Sequence, residues 1–213
     1  MVVVRLYLSS YQLGDHPELL SGLVRGDRRG WVIMNALDGL DDDRRRRDTE
    51  RQIANLETLN LTADNFDLRE HDAESIAADF GDPAFVWVRG GNVFTLRAAM
   101  ARSGADHVIV HGLQQDAFVY AGFSAGACVL APNLAGLERC DSVEDCLTTY
   151  DDVEFDGLGI LDRPVVPHLS SPDHPETEVL GEVAARYNIE HQPFWALRDG
   201  QALVVDGGET TIH

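Results

Sequence analysis

Ser124 stands between Gly122 and Gly126 in "YAGFSAGA", behind an apolar run. This G-x-S-x-G spacing is that of a strained strand-to-helix turn presenting a serine hydroxyl. A serine hydroxyl is a weak nucleophile at neutral pH, so it needs a base within hydrogen-bond reach and an acid that holds the base in one tautomer. His168, in "RPVVPHLSS", follows an apolar strand and would emerge at that strand's C-terminal end, where open α/β sheets bind ligands. His174, in "SPDHPE", lies between prolines on a surface loop. The tetrahedral oxyanion needs donors, and two backbone N–H groups suit: Ala125, directly after the serine, and Gly91 in "VRGGNVFTL". In the latter stretch Gly90-Gly91 end a strand and Asn92 opens a helix as its N-cap. His107 and His111 share one helix face, but no Glu follows His107 and no third ligand is evident, so no metal is expected.

These residues need elements that hold them at strand ends. Short apolar runs alternate with amphipathic stretches throughout, the sequence form of a mostly parallel sheet covered by helices on both faces. Strands are expected over residues 2–8, 31–36, 65–68, 85–88, 118–122, 164–167, 192–197 and 202–205. Helices are expected over 17–24, 45–59, 73–80, 93–102, 125–131 and 176–187. The segment "ADHVIVHGL" is rich in β-branched residues, yet a strand there would crowd the one at Phe118, so a helix is expected. Residues 133–156 have few apolar side chains and read as an irregular functional loop. Asp206-Gly207-Gly208 turns a closing hairpin.

The chain has 213 residues, 44% of them hydrophobic, enough for one sizeable core and a single domain spanning 1–213. No stretch is long and apolar enough for a membrane span, and "MVVVRLYLSS" lacks the pattern of a signal segment, so a cytoplasmic location is expected. With 36 acidic residues against 17 basic ones the net charge is −19, which repels nucleic acid and anionic lipid. Every basic residue is Arg. The run "DDDRRRR" at Asp41–Arg47 reads as the solvated face of a helix with an acid-rich first turn. Cys128, Cys140 and Cys146 form no disulfide or zinc framework and read as buried or inert thiols.

In order along most of the chain, "VRGGNVFTL", "YAGFSAGACVLAP", "FDGLGILDRPVVPH" and "QALVVDGG" resemble the peptidase E (aspartyl dipeptidase) family of serine peptidases. The resemblance implies a flavodoxin-like, class I glutamine amidotransferase-like α/β sandwich and hydrolysis of short peptides without any cofactor. It makes Ser124 the nucleophile, His168 the general base, and Gly91 with Ala125 the oxyanion donors. The family's triad acid lies in the loop after the elbow helix. Asp141 in "LERCDSVEDC" matches best, with Glu138, Glu144 and Asp145 as rivals. The family's Arg-Thr-Thr-Asn-like stretch is missing from "NLAGLERC", which leaves the Asp-X preference open. Asn92, Arg139 and Arg163 are candidate substrate contacts, with Arg89 a further cation for an acidic substrate. The expected partner is a short peptide, and a homodimer is one expectation for assembly. An α/β-hydrolase-like esterase and a catalytically silent amidotransferase-like binding domain are the competing readings.

Overall fold

The order of apolar runs is realised as a seven-stranded sheet in the computed structural model, which describes residues 4–213. Strands β1 (Arg5–Ser9), β2 (Arg29–Ile33), β3 (Thr62–Asn65), β4 (Phe85–Val88) and β5 (Val119–Phe123) run parallel in the order β3-β2-β4-β5-β1. The hairpin of β8 (Ala202–Asp206) and β9 (Glu209–Ile212) extends the sheet, β8 lying antiparallel to β1. A separate parallel pair, β6 (Val165–Val166) and β7 (Trp195–Ala196), stands beside it. The sheet is thus mostly parallel, as expected. The expected first strand begins partly outside the described residues, at Val2 and Val3.

Period-two alternation sends successive side chains to opposite faces. Leu6, Leu8, Val86, Val88 and Tyr120 pack on one face with helices α3 (Ile76–Phe80), α4 (Val93–Ser103), α5 (Ala105–Gln114) and α6 (Ala125–Cys128). Tyr7, Phe85, Trp87, Val119 and Ala121 pack on the other with α1 (Glu18–Leu23) and the end of α2 (Asp42–Glu57). Each fully buried side chain of this size contributes roughly 1.5–3 kcal/mol of transfer free energy, so both layers are needed. Helix α5 occupies "ADHVIVHGL", because the neighbouring strand at 119–123 already fills the sheet position. Cys128 and Cys146 are buried and Cys140 is half-buried.

Several boundaries differ from the sequence expectation. The second strand ends at Ile33, and Asn35–Leu37 form a 3-10 turn; the third runs over Thr62–Asn65, earlier than the 65–68 expected. The stretch 133–156 is not an irregular loop: it holds a 3-10 turn at Leu137–Arg139 and helix α7 (Val143–Tyr150). Ser142 caps α7 by accepting the Asp145 N–H, so capping replaces apolar periodicity as its local signal. The 16-residue helix α2 is solvated on one side only, since Arg45, Asp48, Gln52 and Leu56 are buried at helical spacing. Its buried stripe is mostly polar. Arg45 Nη1 donates to Asp67 at 2.7 Å, and Gln52 accepts from the Trp87 indole at 2.9 Å. Burial favours neutral Asp67, but Arg69 and Arg45 hold it well below the usual carboxylate range.

Candidate active site

Three parallel strands deliver the site at their C-terminal ends. After β1 come Ser10 and Tyr11, after β4 the turn 89–92, and after β5 Ser124. Ser124 has φ +51° and ψ −119°, a strained conformation for a residue with a Cβ. Its carbonyl accepts the N–H groups of Ala127 and Cys128, which starts α6 directly beneath the serine. A Cβ at Gly126 would lie 2.1 Å from the Val88 carbonyl oxygen, so only glycine lets α6 close on β4. Ser124 thus stands in a strained strand-to-helix turn enforced by backbone contact.

Gly91, at φ +147°, packs so that a Cβ would fall 2.5 Å from the Ala36 carbonyl oxygen. The same oxygen accepts the Asn92 N–H at 3.0 Å. Among the described residues the N–H groups of Gly91 and Ala125 donate to no protein acceptor, and both residues border Ser124 or its cleft. Asn92 itself is fully engaged. Its Oδ1 accepts from Phe94 and Thr95 N–H to cap α4, and its Nδ2 donates to the Ser142 carbonyl at 2.7 Å.

His168 is 1% exposed and sits at φ +56° directly after the β6 segment. The left-handed backbone is fixed from two sides. The His168 N–H donates to the Ser10 hydroxyl at 2.8 Å, and its carbonyl accepts the Thr177 hydroxyl at 2.7 Å. Its Nδ1 lies 2.6 Å from Asp199 Oδ1, and Ser10 Oγ donates to that same carboxylate oxygen at 2.8 Å. Asp199 is held in turn by its N–H, which donates to Ser171 Oγ at 2.8 Å. Burial lowers the His168 pKa, while Asp199 opposes that by favouring the imidazolium. His174 stacks on His168 with ring centroids 3.5 Å apart and planes 2° from parallel.

Asp141 is the acid expected from the sequence beside the histidine; the carboxylate in contact with His168 Nδ1 is that of Asp199. The 197–200 turn follows β7, the parallel partner of β6, and the Leu169 N–H to Leu197 carbonyl bond of 3.0 Å ties the two segments together. Asp141 lies across the same cleft, where its Oδ2 accepts the Val93 N–H at 2.8 Å. Burial pushes its carboxyl up to about 7, partly opposed by the Val93 N–H, with Glu176 adding to the rise. Among its rivals, Asp145 lines the cleft, while Glu138 accepts from Gly136 N–H and Glu144 lies on α7.

The cleft of about 400 Å³ joins Ser124, His168, Gly91 and Asp141 with Tyr11, Arg44, Arg89 and Glu176. Two expected substrate contacts fall elsewhere. Arg139 pairs with Glu182, and Arg163 pairs with Asp162 while lying 4.8 Å over the Trp195 ring. Arg89 does reach the cleft, its Nε on Asp48 at 2.6 Å and its guanidinium over Phe123. Burial lowers the Arg89 pKa against the pull of Asp48. Arg44 is exposed on α2 and, among the described residues, has no ion-pair partner. The "DDDRRRR" run thus gives a cation to the cleft, which its reading as a solvated face missed; no local signal fixes which arginine turns inward.

Known proteins resemble the chain in sequence and in fold. Residues 46–213 match the model of peptidase family S51. An uncharacterized peptidase of Listeria monocytogenes is 27% identical over 154 residues, 72% of each chain. Peptidase E of Streptomyces coelicolor is 28% identical over 146 residues, 67% of this chain and 57% of that one. The crystal structure of a candidate peptidase E from Listeria monocytogenes superposes with a TM-score of 0.80 at 22% identity, covering 99% of this chain and 98% of the other, so the fold is shared throughout. Among the described residues no helix is long and apolar enough to cross a membrane. The match over most of the length leads to one conclusion: the chain belongs to peptidase family S51 and is a serine-type peptidase.

Proposed function

We propose that the chain is a cytoplasmic hydrolase of short peptides, working through an acyl-enzyme on Ser124 with His168 as base and Asp199 as the acid that orients it. The observation that carries this reading is the 2.6 Å contact between His168 Nδ1 and Asp199 Oδ1, buttressed by Ser10, on the cleft that holds Ser124. With Nδ1–H committed to Asp199, the Nε2 lone pair is free to take the Ser124 proton as Oγ attacks the scissile carbonyl. Gly91 and Ala125 N–H groups receive the oxyanion. His168 then protonates the leaving amine, and water, deprotonated by the same histidine, releases the acyl group. No hydrogen bond joins Ser124 Oγ to His168 among the described residues, and such bonds commonly tighten as substrate binds.

Charge in the cleft supports a short substrate carrying both signs. Arg44 and Arg89 line it together with Asp141, Asp145 and Glu176. An N-terminal ammonium suits the acids, and an acidic first side chain, as in Asp-X, suits Arg44. A homodimer is compatible with catalysis but no step requires it.

The test is mass-spectrometric turnover of dipeptides and short peptides, Asp-X members included, by wild type, Ser124→Ala, Asp199→Asn and Asp141→Asn. Cleavage should vanish in Ser124→Ala and fall by roughly 10⁴ in Asp199→Asn, the scale seen when a triad acid loses its tautomer control. Asp141→Asn should stay within about tenfold of wild type, since an acid that does not touch the base carries little of that control. Undiminished cleavage by Ser124→Ala refutes the mechanism; a collapse in Asp141→Asn with Asp199→Asn intact returns the triad to Asp141.

A further inference from the structure

We propose that His168, His174 and Asp199 form an inhibitory site for a divalent first-row transition metal, Zn²⁺ in particular. One nitrogen from each imidazole and one carboxylate oxygen all lie within 4.8 Å of one another. Two histidines and a carboxylate are a zinc ligand set that leaves a fourth position for water, with metal–ligand bonds of about 2.0–2.2 Å. Ligand atoms at that radius and a tetrahedral angle stand about 3.3 Å apart, so the set closes when the widest pair approaches by up to about 1.5 Å and, for a metal on Nδ1, the 2.6 Å His168–Asp199 pair opens to about 3.3 Å.

The movements required fall on His174 and Asp199, whose side chains are both partly exposed. Imidazole lone pairs lie in the ring plane, and the planes of His168 and His174 are 2° from parallel, so one ring must tilt before both point at one ion. His168 cannot tilt readily, being buried with its backbone fixed by Ser10 and Thr177. His174 is half-buried, and its Nδ1 receives only a 3.3 Å contact from the Glu176 N–H.

Either mode of binding removes the base. A metal on Nδ1 of His168 displaces the proton shared with Asp199 and leaves the neutral ring's one proton on Nε2, which then cannot accept from Ser124. A metal on Nε2 occupies the accepting lone pair itself. The inhibitory half of the inference rests on the proposed peptidase chemistry, whereas the binding half does not.

The full chain, first stripped with EDTA, would be titrated with ZnCl₂ by calorimetry as wild type and His174→Gln, with MgCl₂ as the hard-cation control. Wild type should bind one equivalent of Zn²⁺ and no Mg²⁺, and loss of one ligand should weaken binding by at least about tenfold. Peptide turnover should be inhibited over the same Zn²⁺ range, with that range shifted upward in the variant. Absence of a stoichiometric Zn²⁺ event, or equal affinity in the two proteins, overturns the site. Should His174→Gln fold poorly, Co²⁺ bound to wild type decides: an intense visible absorption of a four-coordinate nitrogen and oxygen site supports it, and the weak spectrum of hydrated Co²⁺ refutes it. If no peptide is cleaved by wild type, the catalytic reading fails while the calorimetry still judges the metal site.

Discussion

Replacing Asp141 by Asn should alter how stability depends on pH. The carboxyl has an ordinary value of 3.8 and is pushed up to about 7 in the folded chain by burial, so folding retains its proton about 3 pH units further. At about 1.36 kcal/mol per unit this couples at most about 4 kcal/mol to folding, and about 2–4 kcal/mol is expected because the residue is only half-buried. Between pH 4 and 7 the folded state binds a proton that the unfolded state has released, so stability from this group is full below pH 4 and lost as pH rises through about 7. Asn keeps an oxygen to accept the Val93 N–H and never charges. Urea unfolding of both proteins at intervals from pH 4.5 to 8 isolates the group, since the remaining acids largely cancel in the difference. The stability of Asp141→Asn relative to wild type should climb by about 2–4 kcal/mol across that interval and level off above it. A difference flat within about 0.5 kcal/mol, or one falling as pH rises, would refute the reasoning and mean that Asp141 is ionised and paired in the folded protein.

Two further perturbations address the cleft. Gly91→Ala places a Cβ 2.5 Å from the Ala36 carbonyl at φ +147°, so the turn must shift and its N–H with it; kcat should fall by ~10²–10³, the cost of one oxyanion donor, and an unchanged kcat would remove Gly91 from that role. Arg44→Gln removes an exposed charge worth about 1 kcal/mol at contact in water, so kcat/KM for peptides with an acidic first residue should drop about fivefold, less at high salt, with neutral peptides spared. An equal loss for both peptide classes would show that Arg44 does not read the acid.

The parts of the site written locally were legible. "GFSAG" and "RGGN" specify turns in which Gly122 and Gly126 press on Val88 and Gly91 on Ala36, and His168 stands two residues past its strand. Asp199 was not legible, because its value lies in a pairing across 31 residues that depends on β7 lying beside β6, while "RDGQ" by itself reads as an ordinary turn. Ser10 is further out of reach, its contact with His168 spanning 158 residues. Helix α7 was hidden by its polar composition although Ser142 and Asp145 form a cap with the required spacing. The inward stripe of α2 was hidden for a related reason, since Arg45, Asp48 and Gln52 carry no apolar periodicity to mark a buried face.

That stripe braces the "RGGN" turn along two routes. Asp48 accepts from Arg89, the residue before Gly90 and Gly91, and Arg45 bridges to Asp67, which also accepts from Asn35 at 3.0 Å. Asn35 begins the 3-10 turn whose Ala36 carbonyl receives the Asn92 N–H. Removing Asp48 would leave the half-buried Arg89 without its ion partner and loosen the turn that follows it, whereas Asp67 would keep Arg69 after loss of Arg45. The ionic face of α2 thus braces the "RGGN" turn, while Arg44, one residue from Arg45 and turned the other way, lines the cleft. A helix that reads as a charged, solvated surface therefore braces the "RGGN" turn with its buried side and turns an exposed arginine to the cleft.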